Sequence, residues 1–309
     1  MRNPTSSSPF ALLAGAATLA LALAACGGGD TGTSEGGGSG SPSAGGSVTA
    51  DQELAGQVPS AISSDGTITV GTDATYAPNE FLDPDGQTVI GFDVDLFNAV
   101  AAKLGLEAKF TPAPFSAIIP GVSSGKYEIG VSSFTISADR VKQANMISYF
   151  NAGTQWAAAE GNPDGIDPDA ACGKKVAVQR ATVQVDDITA RSEKCTSDGE
   201  PAIQIDQYQG QDQATSAVVS GKDQAMLADS PVIAYAVTQT DGRLEKLGEL
   251  YDSAPYGYVV AKDDTDFADA LAGAVNALID DGTYQEILDS WAVGDGAVDE
   301  AQVNPPSTS

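Results

Sequence analysis

The chain contains no histidine and only three cysteines among its 309 residues. Without histidine, a Ser-His or Cys-His nucleophilic pair is impossible, and a zinc site would lack its commonest nitrogen ligand. No Cys-x-x-Cys spacing occurs either. The sequence therefore predicts neither a metal site nor a bound cofactor, and it excludes enzymes that depend on a histidine base.

Basic residues are also scarce. The chain has 15 Lys and Arg residues against 42 Asp and Glu residues, which gives a formal net charge of −27. A surface of that sign repels the phosphate backbone of DNA and RNA. We therefore expect no nucleic-acid partner.

A long apolar run occurs only near the N-terminus, from Phe10 to Ala25. The run is too short to span a bilayer comfortably, and it follows a basic residue and ends in small residues, as in a signal peptide. Its end, Leu23-Ala24-Ala25-Cys26, resembles a bacterial lipobox, which implies that residues 1–25 are removed and that Cys26 is lipidated. A chance cysteine in a membrane anchor is the alternative.

The segment after Cys26 is a predicted tether. Residues 27–47 are nearly all Gly, Ser, Thr and Pro, so they bury too little apolar surface to fold and should form a flexible leash with a reach on the order of 30 Å. We assign residues 26–56 to the lipidated cysteine and this linker. The mature protein is thus expected outside the cytoplasm, anchored to the cell membrane by lipid.

Two cysteines remain, Cys172 and Cys195. They form an even number in a protein that is expected in an oxidising compartment. That situation favours a disulfide. A metal site is the alternative, and the lack of histidine and of Cys-x-x-Cys spacing counts against it.

The part of the chain after the linker alternates strand-like and helix-like segments. A strand at Thr67–Gly71, a helix around Val94–Leu104, a strand at Glu107–Phe110 and a helix at Phe115–Ser124 follow one another. The same rhythm recurs over residues 175–239. The pattern predicts an α/β protein, and the length predicts about two compact units.

One stretch, Ser132 to Arg140, combines several groups that bind anions. It follows a strand-like run, and Ser137 is a predicted N-cap of a helix. Unpaired backbone N–H groups and hydroxyls at such a turn suit an anion, and the planar fork of Arg140 matches a carboxylate. An ordinary turn with an exposed arginine is the alternative reading of these residues alone.

Five segments together resemble the bacterial extracellular solute-binding proteins of family 3, the polar amino-acid receptors of ABC importers. They are Val70–Pro78, Gly91–Leu96, Ser124–Tyr127, Ser133–Arg140 and Leu227–Pro231. The resemblance covers roughly residues 60–295. It implies a type II periplasmic-binding-protein-like fold, in which two α/β lobes are joined by two hinge crossings.

The resemblance also implies a division of the chain. The hinge crossings are expected near residues 150–154 and 253–257, and Cys172 and Cys195 fall within one lobe. The expected parts are lobe 1 at 57–149 plus 258–293, lobe 2 at 155–252, and a flexible tail at 294–309.

On lobe 1, the resemblance implies a carboxylate-binding group. Arg140 would bind the α-carboxylate of an amino acid with help from the hydroxyl of Thr135. Ser132 and Ser133 would lie against the ligand. Glu80 would favour a cationic side chain if it reached the ligand, but an isolated carboxylate is expected to be solvated.

The rest of the implied site completes a zwitterion pocket. Asp229 would accept the α-ammonium group, and Asp73 would meet the polar end of the ligand side chain. Tyr76 and Phe115 would flank its aliphatic part. From the residues alone, the two aromatics are better read as core residues, and the two aspartates could be caps of a turn and of a helix.

On lobe 2, the loop from Gln179 to Gln184 matches a loop that adds carboxylate donors. Ala181 stands where glycine is common, and Val183 where threonine or glycine is common, so only the backbone N–H of Val183 is available. The hydroxyl of Thr182 is expected to compensate, and the side chain of Gln184 is a further possible contact.

These features predict a monomeric, lipid-anchored receptor that binds a polar amino acid, either glutamine-like or basic, and delivers it to an ABC permease. We expect no catalytic activity. The alternatives are a cyclohexadienyl or arogenate dehydratase-like enzyme on the same fold and a ligand sensor that acts through a partner.

Overall fold

The computed structural model describes residues 48–306. The predicted signal peptide, Cys26 and most of the predicted linker lie outside the described residues. None of the helices within 48–306 has the length and apolar character needed to cross a membrane.

Strands and helices alternate along the described chain, as the sequence predicts. The strands are β1 (Thr67–Thr72), β2 (Thr75–Tyr76), β3 (Glu80–Leu82), β4 (Val89–Ile90), β5 (Glu107–Pro112), β6 (Ile129–Thr135), β7 (Ala144–Ala159), β8 (Lys175–Gln179), β9 (Gln204–Tyr208), β10 (Ala225–Asp229) and β11 (Leu244–Ala261). The helices are α1 (Gln52–Ala55), α2 (Ser60–Ser63), α3 (Phe92–Lys103), α4 (Phe115–Ser123), α5 (Ala138–Gln143), α6 (Val183–Ser197), α7 (Gln211–Val219), α8 (Ser230–Gln239), α9 (Thr265–Asp281) and α10 (Thr283–Ser290).

The larger of two sheets has the strand order β5-β1-β6-β11-β7-β10-β8-β9, and β2, β3 and β4 form the smaller one. On one side, β1 pairs in parallel with both β5 and β6. On the other side, β8 pairs in parallel with both β9 and β10. Each parallel set is covered by helices and has its own apolar core, so the sheet consists of two α/β halves, which we call lobe 1 and lobe 2.

Two long strands join the lobes. The 16-residue β7 and the 18-residue β11 run antiparallel to each other from one half to the other, with register shifts between Leu247 and Tyr251 and between Tyr251 and Ala254. The predicted α/β fold with two lobes and two crossings is therefore confirmed. The exact limits of the lobes remain a prediction, because both strands are continuous through them.

Lobe 2 contains the predicted disulfide. Cys172 and Cys195 are bonded, which ties the segment before β8 to the last turns of α6. Cys195 is buried in the same apolar cluster as Val176 and Ile188. The disulfide thus closes one side of the lobe 2 core.

The predicted flexible tail is wrong for the described residues up to 306. Val303 forms an antiparallel bridge with Ile147, and the side chain of Asn304 accepts a hydrogen bond from the backbone N–H of Met146 at 2.9 Å. Gly296 lies against the ring of Phe150, where a Cβ would find no room. The segment has no apolar periodicity of its own, and its order comes from a groove that lobe 1 supplies.

The lobe also begins before residue 57, where the sequence predicts it to start. The carboxylate of Asp51 accepts hydrogen bonds from the N–H groups of Glu53 and Leu54 and so caps α1. Leu54 packs against the lobe 1 core beside Gly273 of α9. One capped turn and one leucine are too short a signal to separate from a linker by sequence alone.

Candidate ligand-binding site

A narrow cavity of about 10 Å³ lies between the lobes, where strands of both lobes end. This is about the space that one water molecule needs, so the two lobes lie close together in this structure. The structure brings together the ten residues that the sequence predicts to contact a ligand, the two further possible contacts Glu80 and Gln184, and Gln179 in addition. The lining residues are Asp73, Tyr76, Glu80, Phe115, Ser132, Ser133, Thr135, Arg140, Gln179, Thr182, Val183, Gln184 and Asp229.

Arg140 is held in place by two carbonyls and two aromatic rings. Ser137 caps α5 as predicted, accepting a hydrogen bond from the N–H of Arg140 at 3.3 Å. The guanidinium donates to the carbonyl of Thr135 at 2.8 Å, and its carbon lies 5.4 Å from the ring centre of Phe115 and 5.6 Å from that of Phe134. These contacts fix the plane of the fork, while its other N–H groups remain available to a carboxylate.

Ser132 and Ser133 of β6 both contact one carboxylate. The hydroxyl of Ser132 donates to Oε1 of Glu80 at 3.1 Å, and the hydroxyl of Ser133 lies 3.0 Å from Oε2. Neighbouring side chains of a regular strand point to opposite faces, and the positive φ of 52° at Ser133 is what lets both hydroxyls reach the same group.

Glu80 is buried, with only 1% of its surface exposed. The expectation that it is solvated is therefore wrong. The two serine hydroxyls replace the hydrogen bonds that water would otherwise make, which is the usual condition for burying a carboxylate.

Asp73 joins three elements. Its Oδ2 accepts hydrogen bonds from the N–H of Phe115, at the start of α4, at 2.8 Å and from the side-chain amide of Gln179 in lobe 2 at 3.1 Å. Its Oδ1 accepts from the hydroxyl of Thr75 at 2.7 Å. Asp73 therefore does help to hold a turn, as its alternative reading proposed, and it also lines the cavity.

Asp229 points into the cavity although it stands at the N-cap position of α8. It makes no capping hydrogen bond with its side chain. Instead its Oδ2 accepts from the hydroxyls of Tyr76 at 2.8 Å and Tyr256 at 2.9 Å, and its Oδ1 accepts from the amide of Gln184 at 2.7 Å. The side chain of Asp229 therefore does not cap α8, contrary to the alternative interpretation from the sequence.

The lobe 2 loop is arranged differently from the expectation. The hydroxyl of Thr182 donates to the carbonyl of Gln179 at 2.8 Å, so its hydrogen is not directed to the cavity. Val183 is the first residue of α6, and the first N–H groups of a helix have no partner within the helix. The backbone of Val183 is therefore the donor that the loop offers.

Ala181 adopts a φ of 66°, the left-handed region that glycine occupies readily. A non-glycine residue there costs about 1–2 kcal/mol. Its carbonyl accepts a hydrogen bond from Arg140 at 3.1 Å, which connects lobe 2 to lobe 1. The strained turn thus positions a contact between the lobes.

The chain matches a known family over most of its described length. Residues 68–294 match the sequence profile of the bacterial extracellular solute-binding proteins, family 3. The chain belongs to this family. Membership confirms the resemblance stated from the sequence, and it makes the protein an extracytoplasmic solute-binding protein.

Named relatives and solved structures agree with this assignment. The arginine-binding protein ArgT of Corynebacterium glutamicum is 40% identical over 253 residues, covering 82% of this chain and 83% of that protein. An ancestral arginine-binding protein bound to arginine has a TM-score of 0.68 and 30% identity, covering 73% of this chain and 98% of its own. An ancestral amino acid-binding protein, a precursor of cyclohexadienyl dehydratase, has a TM-score of 0.65 and 31% identity, covering 75% of this chain and 97% of its own.

Burial changes the pKa values of the charged groups in this candidate site. It raises the pKa of Asp73 and of Asp229 and raises that of Glu80 well above its ordinary value. It lowers the pKa of Arg140 to about 10, so the guanidinium stays protonated at neutral pH. Each of the three carboxylates would therefore gain from a cation placed beside it.

Three residues with a part in the site carry no prediction of their own from the sequence. Gln179 is the last residue of β8, and Tyr256 lies in the predicted second crossing. Their positions along these strands are the sequence features that could have indicated a place in the site. Asp93 lies in the family signature, but it does not line the cavity. Its Oδ2 lies 3.2 Å from the hydroxyl of Ser133, which also contacts Glu80. Within residues 48–306, no group of His, Cys, Asp or Glu side chains is arranged to hold a metal ion.

Proposed function

We propose that this protein captures a basic amino acid, with arginine as the preferred ligand, and delivers it to an ABC permease. The sequence leaves glutamine-like and basic ligands both open. The observation that favours a basic ligand is the charge of the cavity, which is lined by one guanidinium, Arg140, and by three carboxylates, Asp73, Glu80 and Asp229. A neutral zwitterion has one ammonium group for these carboxylates, whereas arginine has two cationic groups.

The proposed binding mode uses both lobes. Arg140 binds the α-carboxylate through the free side of its fork, and Asp229 accepts the α-ammonium group. The aliphatic part of the ligand lies between Tyr76 and Phe115, and its guanidinium reaches Asp73 and Glu80. A micromolar affinity requires about 8 kcal/mol, which two desolvated charge pairs and aromatic packing are able to supply.

Closure of the lobes is the proposed signal to the permease. Ligand groups that touch both lobes stabilise the closed arrangement by their differential affinity for it. The names of the related arginine-binding proteins support the choice of arginine. We propose that the protein acts as a monomer.

The test is isothermal titration calorimetry of the mature protein with arginine, lysine, glutamine and citrulline. Citrulline is the sharpest comparison, because it has the length and α-groups of arginine but an uncharged side chain. We expect arginine to bind at least about 100-fold more tightly than citrulline, since a carboxylate left without its cation is strongly unfavourable. Equal affinity for the two ligands would reject the proposed basic specificity.

Lipid anchoring is proposed from the lipobox-like segment that ends in Cys26. The variant Cys26→Ser should appear in the culture medium, while the unmodified chain stays with the membrane fraction. Arginine uptake by cells that carry only the variant should fall, because the receptor is no longer held near its permease. Retention of the variant at the membrane would argue against a lipid on Cys26.

We also propose that the protein has no catalytic activity. One structural neighbour is named as a precursor of cyclohexadienyl dehydratase, and that neighbour is itself named an amino acid-binding protein. Mass spectrometry after incubation with prephenate or arogenate is the direct check. Turnover that depends on Arg140 would establish the enzymatic alternative.

A further inference from the structure

A pair of buried carboxyl groups lies at the base of the cavity. Glu80, on β3, is 1% exposed and lines the cavity, and Asp93, on α3, is fully buried and does not line it. The hydroxyl of Ser133 lies 3.0 Å from Oε2 of Glu80 and 3.2 Å from Oδ2 of Asp93. The two carboxyl groups are therefore neighbours on either side of one hydroxyl.

The pair has fewer hydrogen-bond donors than two carboxylates need. The Ser133 hydroxyl has one hydrogen and already accepts a hydrogen bond from the amide of Asn79 at 2.8 Å, so it donates to only one of the two carboxyls. Asp93 receives the N–H of Ser133 and the hydroxyl of Tyr149 on the same oxygen, Oδ2. Its other oxygen, Oδ1, is buried with no hydrogen-bond partner among the described residues.

Among the described residues, no cation contacts the pair. No lysine or arginine nitrogen of residues 48–306 lies within 4.0 Å of either carboxyl group. The titratable groups that face the pair from the packed strands are the phenols Tyr76 of β2, Tyr149 of β7 and Tyr258 of β11. The next ones are acids: Asp73 is connected through Ser132, and Asp229 is connected through Tyr76.

Two buried carboxylates without a cation are strongly unfavourable, and a proton held between them removes the problem. Burial raises the pKa of Glu80 well above its ordinary value and that of Asp93 to about 6. The chain has no histidine, so no side chain with an ordinary pKa titrates near neutral pH. The carboxyl pair is therefore the group that we expect to bind or release a proton in this range.

We propose that Glu80 and Asp93 share one proton in the ligand-free protein and release it to solvent when the cationic end of a basic amino acid binds beside Glu80. The ligand's positive charge replaces that of the proton, so the charge of the site is unchanged and no other bond is made or broken. A neutral ligand leaves the proton in place. Asp93 touches no ligand and acts as a positioning residue, since it determines whether Glu80 carries the proton.

This inference rests on the proposed basic specificity, and proton counting separates the two. Titrations of arginine in phosphate and in Tris at pH 7 give different binding enthalpies if protons are released. The difference equals the number of protons released multiplied by the difference between the ionisation enthalpies of the two buffers. We expect about one proton per arginine and none per citrulline. Above pH 6, the affinity for arginine should rise about tenfold per pH unit for as long as the pair holds its proton, and that for citrulline should stay level.

The variant Asp93→Asn tests the assignment to this pair rather than to Asp73 or Asp229. Without the neighbouring anion, Glu80 loses its proton more readily, and we expect release on arginine binding to fall below about half a proton. Asp269→Asn, which removes an exposed carboxylate from α9 in the same lobe, should release as many protons as the unmodified protein.

The outcomes are distinct. Arginine binding with no proton released by the unmodified protein would overturn the shared proton and leave the proposed function standing. Full proton release in a folded Asp93→Asn variant would overturn the role of Asp93 and of the pair. If that variant does not fold, the comparison of arginine with citrulline in the two buffers decides. A failure of arginine to bind would overturn the proposed function and this inference together.

Discussion

The hydroxyl of Tyr76 donates a hydrogen bond to Oδ2 of Asp229 at 2.8 Å and accepts one from the backbone N–H of Asp229 at 3.2 Å. Tyr76 belongs to β2, beside lobe 1, yet its ring packs in an apolar cluster of lobe 2 with Met226 and Ala228. One side chain thus docks the lobes together and orients the carboxylate proposed to bind the α-ammonium group. Contacts within the protein, as well as the ligand, stabilise the closed arrangement.

Replacing Tyr76 by phenylalanine should keep the ring and remove this connection. Asp229 would lose a buried donor, so we expect the affinity for arginine to fall by about 1–3 kcal/mol. Small-angle scattering of the ligand-free variant should show a larger radius of gyration. Tyr127→Phe is the matched control, because the Tyr127 hydroxyl is buried without a hydrogen-bond partner in the described structure. Equal affinities of the two variants would contradict the role of the Tyr76 hydroxyl.

Removal of the guanidinium in Arg140→Ala should weaken arginine binding by about 3–5 kcal/mol, since the ligand carboxylate would be buried without a partner. Calorimetry measures the loss, and thermal unfolding shows whether the variant is folded. Arg180→Ala removes an exposed arginine from the loop on lobe 2 and should bind normally. Near-normal affinity of Arg140→Ala would place the ligand carboxylate elsewhere.

The buried carboxyl groups predict an unusual pH dependence of stability. The folded pKa values of Asp73, Asp229 and Glu80 are raised, and that of Asp93 is raised to about 6, so the folded state binds more protons than the unfolded state between their unfolded and folded pKa values. These four groups therefore contribute most to the free energy of unfolding at pH values below their pKa values in the unfolded state. The contribution is lost as the pH rises through their pKa values in the folded state, which for Asp93 is near pH 6. Calorimetric scans should give a higher Tm at pH 5 than at pH 7 for the ligand-free protein, and a smaller difference for Asp93→Asn. A Tm that rises steadily from pH 5 to pH 7 would refute this.

The disulfide should stabilise lobe 2 without taking part in binding. Cys172 and Cys195 are separated by 23 residues, and closing a loop of that size contributes about 3 kcal/mol in the chain-entropy estimate. Denaturant unfolding of the Cys172→Ser/Cys195→Ser variant should show a loss of this order, while arginine affinity at low temperature is retained. A loss of affinity in the folded variant would tie the disulfide to the site.

Much of the fold was predictable because its signals are local. The alternation of strand and helix patterns, the N-cap Ser137 and the pair of cysteines each lie within a short stretch of sequence. Most cavity residues were predicted from the resemblance to the solute-binding family, and three polar clusters, at Asp73, Ser133 and Asp229, were also recognisable as lying at the ends of strands. In a sheet of parallel strands, such ends meet at one edge, so local positions translate into a shared site.

The errors have one physical origin. Glu80 looked solvated because Ser132 and Ser133, its donors, lie more than fifty residues away, at separations of 52 and 53. The tail looked flexible because its order depends on β7, which precedes it by more than one hundred residues. In both cases the stabilising partner is distant along the chain, and sequence patterns report on neighbours.

The sequence by itself determined the family, the alternation of strands and helices, and the residue types that a zwitterion requires. Only the tertiary structure decided that Asp93 stands behind Glu80, that Tyr76 crosses to Asp229, and that three carboxylates share one cavity with a single guanidinium. The reason is that charge and hydrogen bonding depend on which groups are buried together, and burial is a property of the folded chain.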